Sequence, residues 1–327
     1  MNTHISALII ALAAALPAAS ATPHNEVCPD TTRYDIVVAQ DGSGDFTSLQ
    51  EAIARVPDFR KDTTRILIHE GVYRERINIS PSKTKLKMTG RGNVTIYCDS
   101  VASSKNFTGD EMGTYGSATC YIFPDDFTAE NITFANQAGV AAGQAVAALT
   151  GGDRMFFKNC RFLGFQDTLF AWGLGRQYYE DCYIEGSVDF IFGPAVALFK
   201  DCEIRCNRKK GYITAPSTPQ GNKYGFVFLN CDITANEDCD SCWLSRPWRD
   251  YGRTVFIECN IGGHIRPEGW NNWRKPHREQ TCYYAEYGNT GAGADTSKRA
   301  FGHVLQSATG YTPAEILDDW QPAGAHF

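Results

Sequence analysis

Two aspartates, Asp167 and Asp189, each stand seven residues beyond a cysteine, Cys160 and Cys182. The 22 residues that separate the aspartates also separate Gln144 from Gln166. If that interval is one turn of a repeating structure, two carboxylates and two amides share one face. Two adjacent carboxylates do not both ionise easily, so one pKa rises and the pair titrates as a unit. That separates a proton donor from a nucleophile or base. On spacing alone each Asp could equally cap a turn, as Asp181 and Asp201 are expected to do. Paired carboxylates also serve glycoside hydrolases, so the pair does not name a reaction.

Other chemistries find less support. No G-x-S-x-G elbow is present for a serine nucleophile. The seven histidines are scattered, none within ten residues of the Asp pair. Cys239-x-x-Cys242 lacks the second pair that a structural zinc site needs, so a local disulfide or free thiols are expected there. Gly42-Ser43-Gly44 is followed by no G-K-[ST] and is no phosphate loop.

The repeat that must position the pair is written in the cysteines. FFKNCRF, YYEDCYI, LFKDCEI, FLNCDI and FIECNI surround Cys160, Cys182, Cys202, Cys231 and Cys259, and ENITF puts Ile132 in the same slot. Two positions on, every residue is apolar: Phe134, Phe162, Ile184, Ile204, Ile233 and Ile261. One position before, every residue is polar. Three before, all but Ala129 are aromatic. Spacings of 20 to 29 residues without helical periodicity indicate a solenoid of short strands, a parallel β-helix. Equivalent residues of neighbouring coils would then stack about 4.8 Å apart. An ordinary β-sandwich would have to match three positions in six segments by chance.

Two helices are expected, one from the capping-box pattern Thr47-Ser48-Leu49-Gln50 to about Val56. The other runs from Thr312, Pro313 and Glu315 to about Trp320. Both are expected to cover the ends of the coil stack. The Gly-rich, aromatic region after Trp270 shows no clear coil.

Residues 1–21 read as a secretory signal peptide: an apolar run from Ser6 to Leu16, Pro17, then Ala19-Ser20-Ala21 before a mature chain from about Thr22. Residues 22–327 read as a single domain. Secretion allows disulfides among the 12 cysteines. Cys182 and Cys202, one coil apart, are the expected bridge. Sequons at Asn78, Asn93, Asn106 and Asn131 make a glycoprotein possible, with Asn131, inside the repeat, the least suited. The net charge of −6 argues against nucleic acid as partner. No other segment is long and apolar enough to span a membrane.

Seven segments resemble the pectinesterases (pectin methylesterases), over residues 34 to 320. They are DGSGDFTSLQEAI (41–53), GVYRERI (71–77), TYGSAT from Thr114, GQAVAAL (143–149), GFQDTLF (164–170), GSVDFIFG (186–193) and LSRPWRDYGRTVF (244–256). The resemblance implies an all-β fold, a right-handed parallel β-helix, and hydrolysis of pectin methyl esters to pectate and methanol. It implies Asp189 as nucleophile and Asp167 as general acid, then base. Gln166 and Gln144 would donate to the oxyanion, and Arg246 would hold Asp189 ionised. Trp248 and Thr114 would contact substrate, together with Gln144 and Arg246. Neither metal nor cofactor is implied, and the partner is methyl-esterified homogalacturonan, met by a secreted monomer. Ser187 and Ser245 depart from the Thr and Gly of many relatives. The net charge sits better with heavily esterified, nearly neutral polymer than with pectate. The competing expectations are a polygalacturonase or lyase on the same fold, or a silent β-helix that binds wall polysaccharide.

Overall fold

The computed structural model describes residues 33–326. The leader and its cleavage site lie outside these residues, as does Cys28. From Tyr34 onward the chain winds as one compact unit. Short strands pair in parallel with their counterparts one turn on, along three faces. The first face includes Met155–Lys158, Arg176–Glu180, Val196–Lys200, Phe226–Leu229 and Arg253–Ile257. The second includes Arg161–Leu163, Tyr183–Gly186, Glu203–Cys206 and Asp232–Ala235. The third is a seven-stranded sheet that contains Ala148–Thr150, Leu169–Ala171, Val188–Gly193, Tyr212–Pro216 and Trp243–Ser245.

The repeated triplet makes the corner between the first two faces. Asn131, Asn159, Asp181, Asp201, Asn230 and Glu258, the polar position before the slot, all have φ between 49° and 58°. That left-handed conformation turns the chain sharply, and Asn and Asp tolerate it better than most residues. The next residue points inward. The Cys182 thiol donates to the carbonyls of Phe157 and Glu180 at 3.4 and 3.3 Å, and the other four ladder thiols repeat the pattern. A small, weak donor thus serves carbonyls at a corner where the sheet ladder breaks. Three positions before the slot, Phe157, Tyr179, Phe199, Phe228 and Phe256 stack in one column, with neighbouring centroids 4.5 to 4.9 Å apart. Each fully buried aromatic contributes roughly 1.5–3 kcal/mol by leaving water, and the strand spacing sets the stacking distance.

The expected Cys182–Cys202 bridge is not formed: all described cysteines are free thiols. In-register parallel strands keep the two Cβ vectors parallel, about 4.8 Å apart, whereas a disulfide draws Cβ atoms to about 3.8 Å. Cys239 and Cys242 approach to 3.4 Å between sulfurs and are also thiols. Asn131 is exposed rather than shielded by the repeat, with its side chain accepting from Asn159 Nδ2 at 2.7 Å.

The first helix is Leu49–Arg55, capped by Ser48 rather than Thr47. The Glu75 carboxylate takes the hydroxyl of Ser48 and the N–H groups of Leu49 and Gln50, and the Gln50 side chain binds Asn78 instead of closing a capping box. The second helix, Pro313–Leu317, has its full capping box at Thr312 and Glu315 but stops at Asp318, φ 58°. It does not cover an end. It lies on the outside of the first face, where Ile316, Leu317 and Trp320 pack over Phe156, Tyr178, Leu198 and Val227. The region after Trp270 does contain a coil: Tyr283–Tyr287 pairs in parallel with Arg253–Ile257. Its aromatic slot holds Glu286, buried and bound by Arg299 at 2.7 and 3.0 Å, which hid the pattern. Trp270 is core, 1% exposed, against Phe256 and Tyr284.

Candidate active site

The third face presents the reactive side chains. Leu169 and Phe170 pair with Ile191 and Phe192, so Asp167 and Asp189 hold equivalent places on adjacent coils. Gln144 and Gln166 form a parallel bridge one step earlier, which stacks the two amides. Local backbone aims the acids outward. The register shifts between Val188 and Ile191, and both Phe190 and Ile191 enter the core. Two consecutive inward residues require a bulge, and the bulge turns Asp189 outward with φ 51°. Asp167 is likewise left-handed, φ 66°. Such strain persists only where surrounding structure over-determines it, and it clusters at functional sites.

Arg246 follows the strand Trp243–Ser245 and is tied to the preceding coil by its N–H on the Thr214 carbonyl at 3.0 Å. Its Nε and Nη2 reach Asp189 Oδ1 and Oδ2, both at 2.7 Å, in a bidentate pair. Burial pushes the Asp189 carboxyl up, and the guanidinium opposes that push. The reading from sequence assigned Arg246 the downward pull but not the burial that outweighs it. No cation binds the Asp167 side chain among the described residues. Burial, then the charge on Asp189, raises Asp167 well above the usual carboxylate range, with Arg246 opposing. The two acids are 7% and 6% exposed, so water screens little of this. The arrangement sets one acid whose pKa is raised well above the usual range beside one guanidinium-bound carboxylate, the kind of difference that lets two carboxyls serve different steps.

The cleft above them holds about 380 Å³ and takes in Gln144, Gln166, Thr114 and Trp248 with the acid pair and Arg246. All seven residues named from sequence therefore meet there. Thr114 arrives on the short helix Gly113–Gly116. Trp248 packs edge-on against Phe170 and Phe192, which stack at 4.1 Å. Arg278, 7% exposed, braces the segment that carries Arg246 and Trp248 by donating to the Pro247 carbonyl and, two residues past Trp248, to Asp250 Oδ1. Tyr115, Phe170, Trp172, Phe192 and Trp273 also line the cleft and were missed. Strand alternation would have found Phe170 and Phe192, since Leu169 and Ile191 point inward. Trp273 comes from an irregular turn without a pattern. Phe190 is core, while Phe165 lies outside the cleft lining.

The profile of the Pectinesterase family matches residues 35–319. Pectinesterase 31 of Arabidopsis thaliana is 40% identical over 276 residues, covering 82% of this chain and 86% of its own. A solved pectin methylesterase from carrot superposes with a TM-score of 0.82 at 36% identity, covering 88% of this chain and 94% of that one. A pectin methylesterase solved in complex with a hexasaccharide gives 0.80 at 32% identity, covering 89% and 99%. With these neighbours the fold is a right-handed parallel β-helix. The chain spans about half the length, 42% to 51%, of longer relatives from Arabidopsis thaliana and Solanum lycopersicum whose names join pectinesterase with pectinesterase inhibitor.

Proposed function

This chain belongs to the pectinesterase family, and from that premise we propose that it hydrolyses the methyl esters of polygalacturonan with Asp189 as nucleophile and Asp167 as acid and base. The observation that carries the assignment is the asymmetry of the pair: Asp189 is clasped by Arg246 at 2.7 Å, and Asp167 is buried beside it without a cation.

Asp189 attacks the ester carbonyl, and the amides of Gln144 and Gln166 stabilise the charge that develops on the carbonyl oxygen. The tetrahedral species collapses to an anhydride between the Asp189 carboxyl and the galacturonosyl carboxyl, as methoxide leaves with the proton of Asp167. Asp167, now ionised, takes a proton from water. The hydroxide adds to the galacturonosyl carbonyl and expels the Asp189 carboxylate, leaving a galacturonic acid carboxyl that gives its proton to solvent. Each step balances with ester and water as the sole reactants. The stacked and edge-on aromatics, with Thr114 at the rim, offer apolar platforms with polar handles for a sugar polymer. A lyase or polygalacturonase would leave unsaturated or new reducing ends, and a silent binder would have no use for the acid pair.

The full chain, expressed in a secretory host, should appear in the medium as a monomer beginning near Thr22 and release methanol from methylated pectin without new chain ends. Asp189→Asn should lower that release by at least about 10²-fold. Wild-type release by the variant, or none by the wild type, overturns the assignment.

A further inference from the structure

Five side chains stack in a column that starts at the cleft and runs away from it across the third face. The Trp273 ring lies 3.8 Å from Arg246 Cζ, and the Tyr212 ring covers the other side of that guanidinium at 3.9 Å. Tyr212 then stacks on Trp243, with centroids 6.2 Å apart and planes within 5°. Arg266 closes the column, its Cζ 4.8 Å from the Trp243 ring. Each guanidinium also bonds a carboxylate at its edge: Arg246 binds Asp189, and Arg266 Nε reaches Glu268 Oε2 at 3.2 Å. The coil builds the column, because Tyr212 and Trp243 are in-register partners on neighbouring strands.

We propose that Tyr212, backed by Trp243, is a positioning residue for the esterase reaction, holding the Arg246 plane so that its edge is fixed on Asp189. The proposal rests on the assignment of Asp189 as nucleophile. A guanidinium is planar and weakly hydrated on its faces, so aromatic rings on both sides hold it without competing for its edge donors. Its fork is then set before substrate arrives, and two-sided cover keeps water from the ion pair. Trp273 lines the cleft and can touch substrate, whereas Tyr212 does not line it, so Tyr212 acts through Arg246. The charged groups beside Asp189 are Arg246 and, on the adjacent coil, Asp167, and the Asp189 charge also raises the buried Tyr284 hydroxyl. The hold on Arg246 therefore sets how readily Asp189 ionises.

The test uses the purified full chain on methylated pectin, comparing wild type with Tyr212→Leu, Tyr212→Phe, Trp243→Leu and Asp189→Asn. Melting temperature is measured for each, and kcat is referred to the folded fraction. Tyr212→Leu should lower kcat by about tenfold or more, with KM within about twofold. Its acid limb should move to higher pH, since a loosened guanidinium leaves Asp189 harder to ionise. Tyr212→Phe keeps the ring face and should match wild type. Trp243→Leu should shift the limb in the same direction by less, and it carries the test if Tyr212→Leu fails to fold. Wild-type kcat and acid limb in Tyr212→Leu would overturn the proposal, as would a raised KM with kcat unchanged or an equal loss in Tyr212→Phe. If Trp243→Leu has to decide, an unmoved limb overturns it. An inactive Asp189→Asn beside an unaffected Tyr212→Leu rejects the column alone. An active Asp189→Asn rejects the nucleophile.

Discussion

Asp167 and Asp189 are the same residue type on equivalent positions of adjacent coils, and one guanidinium makes them different. Asp189 is bound at both oxygens, while Asp167 is buried with a negative neighbour. This difference has a thermodynamic signature. The folded-state pKa of Asp167 lies above its unfolded value of about 3.9, so the folded state holds that proton more tightly. Stability is then lost as pH rises from the unfolded value through the folded one. Asp167→Asn removes the penalty. Its melting temperature should exceed that of wild type at pH 7 and converge with it below about pH 3, where both carboxyls are protonated. Methanol release should fall by about 10²-fold or more. A melting temperature that does not rise relative to wild type between those two pH values would contradict the buried, raised carboxyl.

At the scale of elements, the corner motif explains why cysteine recurs. Each ladder thiol satisfies carbonyls next to a left-handed residue, and in-register stacking keeps neighbouring sulfurs from bonding. Unfolding the protein in guanidinium chloride with iodoacetamide and no reductant should alkylate both Cys182 and Cys202, with little labelling of the native state. Protection of the two until reductant is added would restore the bridge. The triplet of aromatic, polar and apolar positions was legible because the five cysteine-bearing coils repeat it. The coil at Tyr283–Tyr287 was not, because Glu286 replaces the aromatic and takes its stabilisation from Arg299. The helix start at Ser48 also escaped a local reading, since its anion, Glu75, comes from a distant segment.

For the whole molecule, the first face presents its outward apolar residues to the C-terminal segment rather than to water. Phe156, Tyr178, Leu198 and Val227 lie under Ile316, Leu317 and Trp320, and Arg176 and Lys158 bind the segment's carbonyls at Leu317 and Gly324. Removing residues 311–327 should lower the melting temperature and produce association in size-exclusion chromatography, because it uncovers a contiguous apolar patch. An unchanged, monodisperse truncated protein would show that the segment contributes nothing to the fold. The acid pair lies on the third face, so a folded truncated protein should keep its methanol release.

The sequence by itself determined the coil, since a repeat stacks equivalent residues whatever the loops do, and with it the pairing of Asp167 with Asp189 and of Gln144 with Gln166. The resemblance added the expected part for Arg246. Only the tertiary structure decided which way the side chains face and what surrounds them. A bulge between Val188 and Ile191 turns Asp189 outward, and burial raises both acids. A turn far along the chain brings Trp273 onto Arg246 opposite Tyr212. Those features depend on backbone angles and on contacts between segments with no common pattern, and residue spacing carries no record of either.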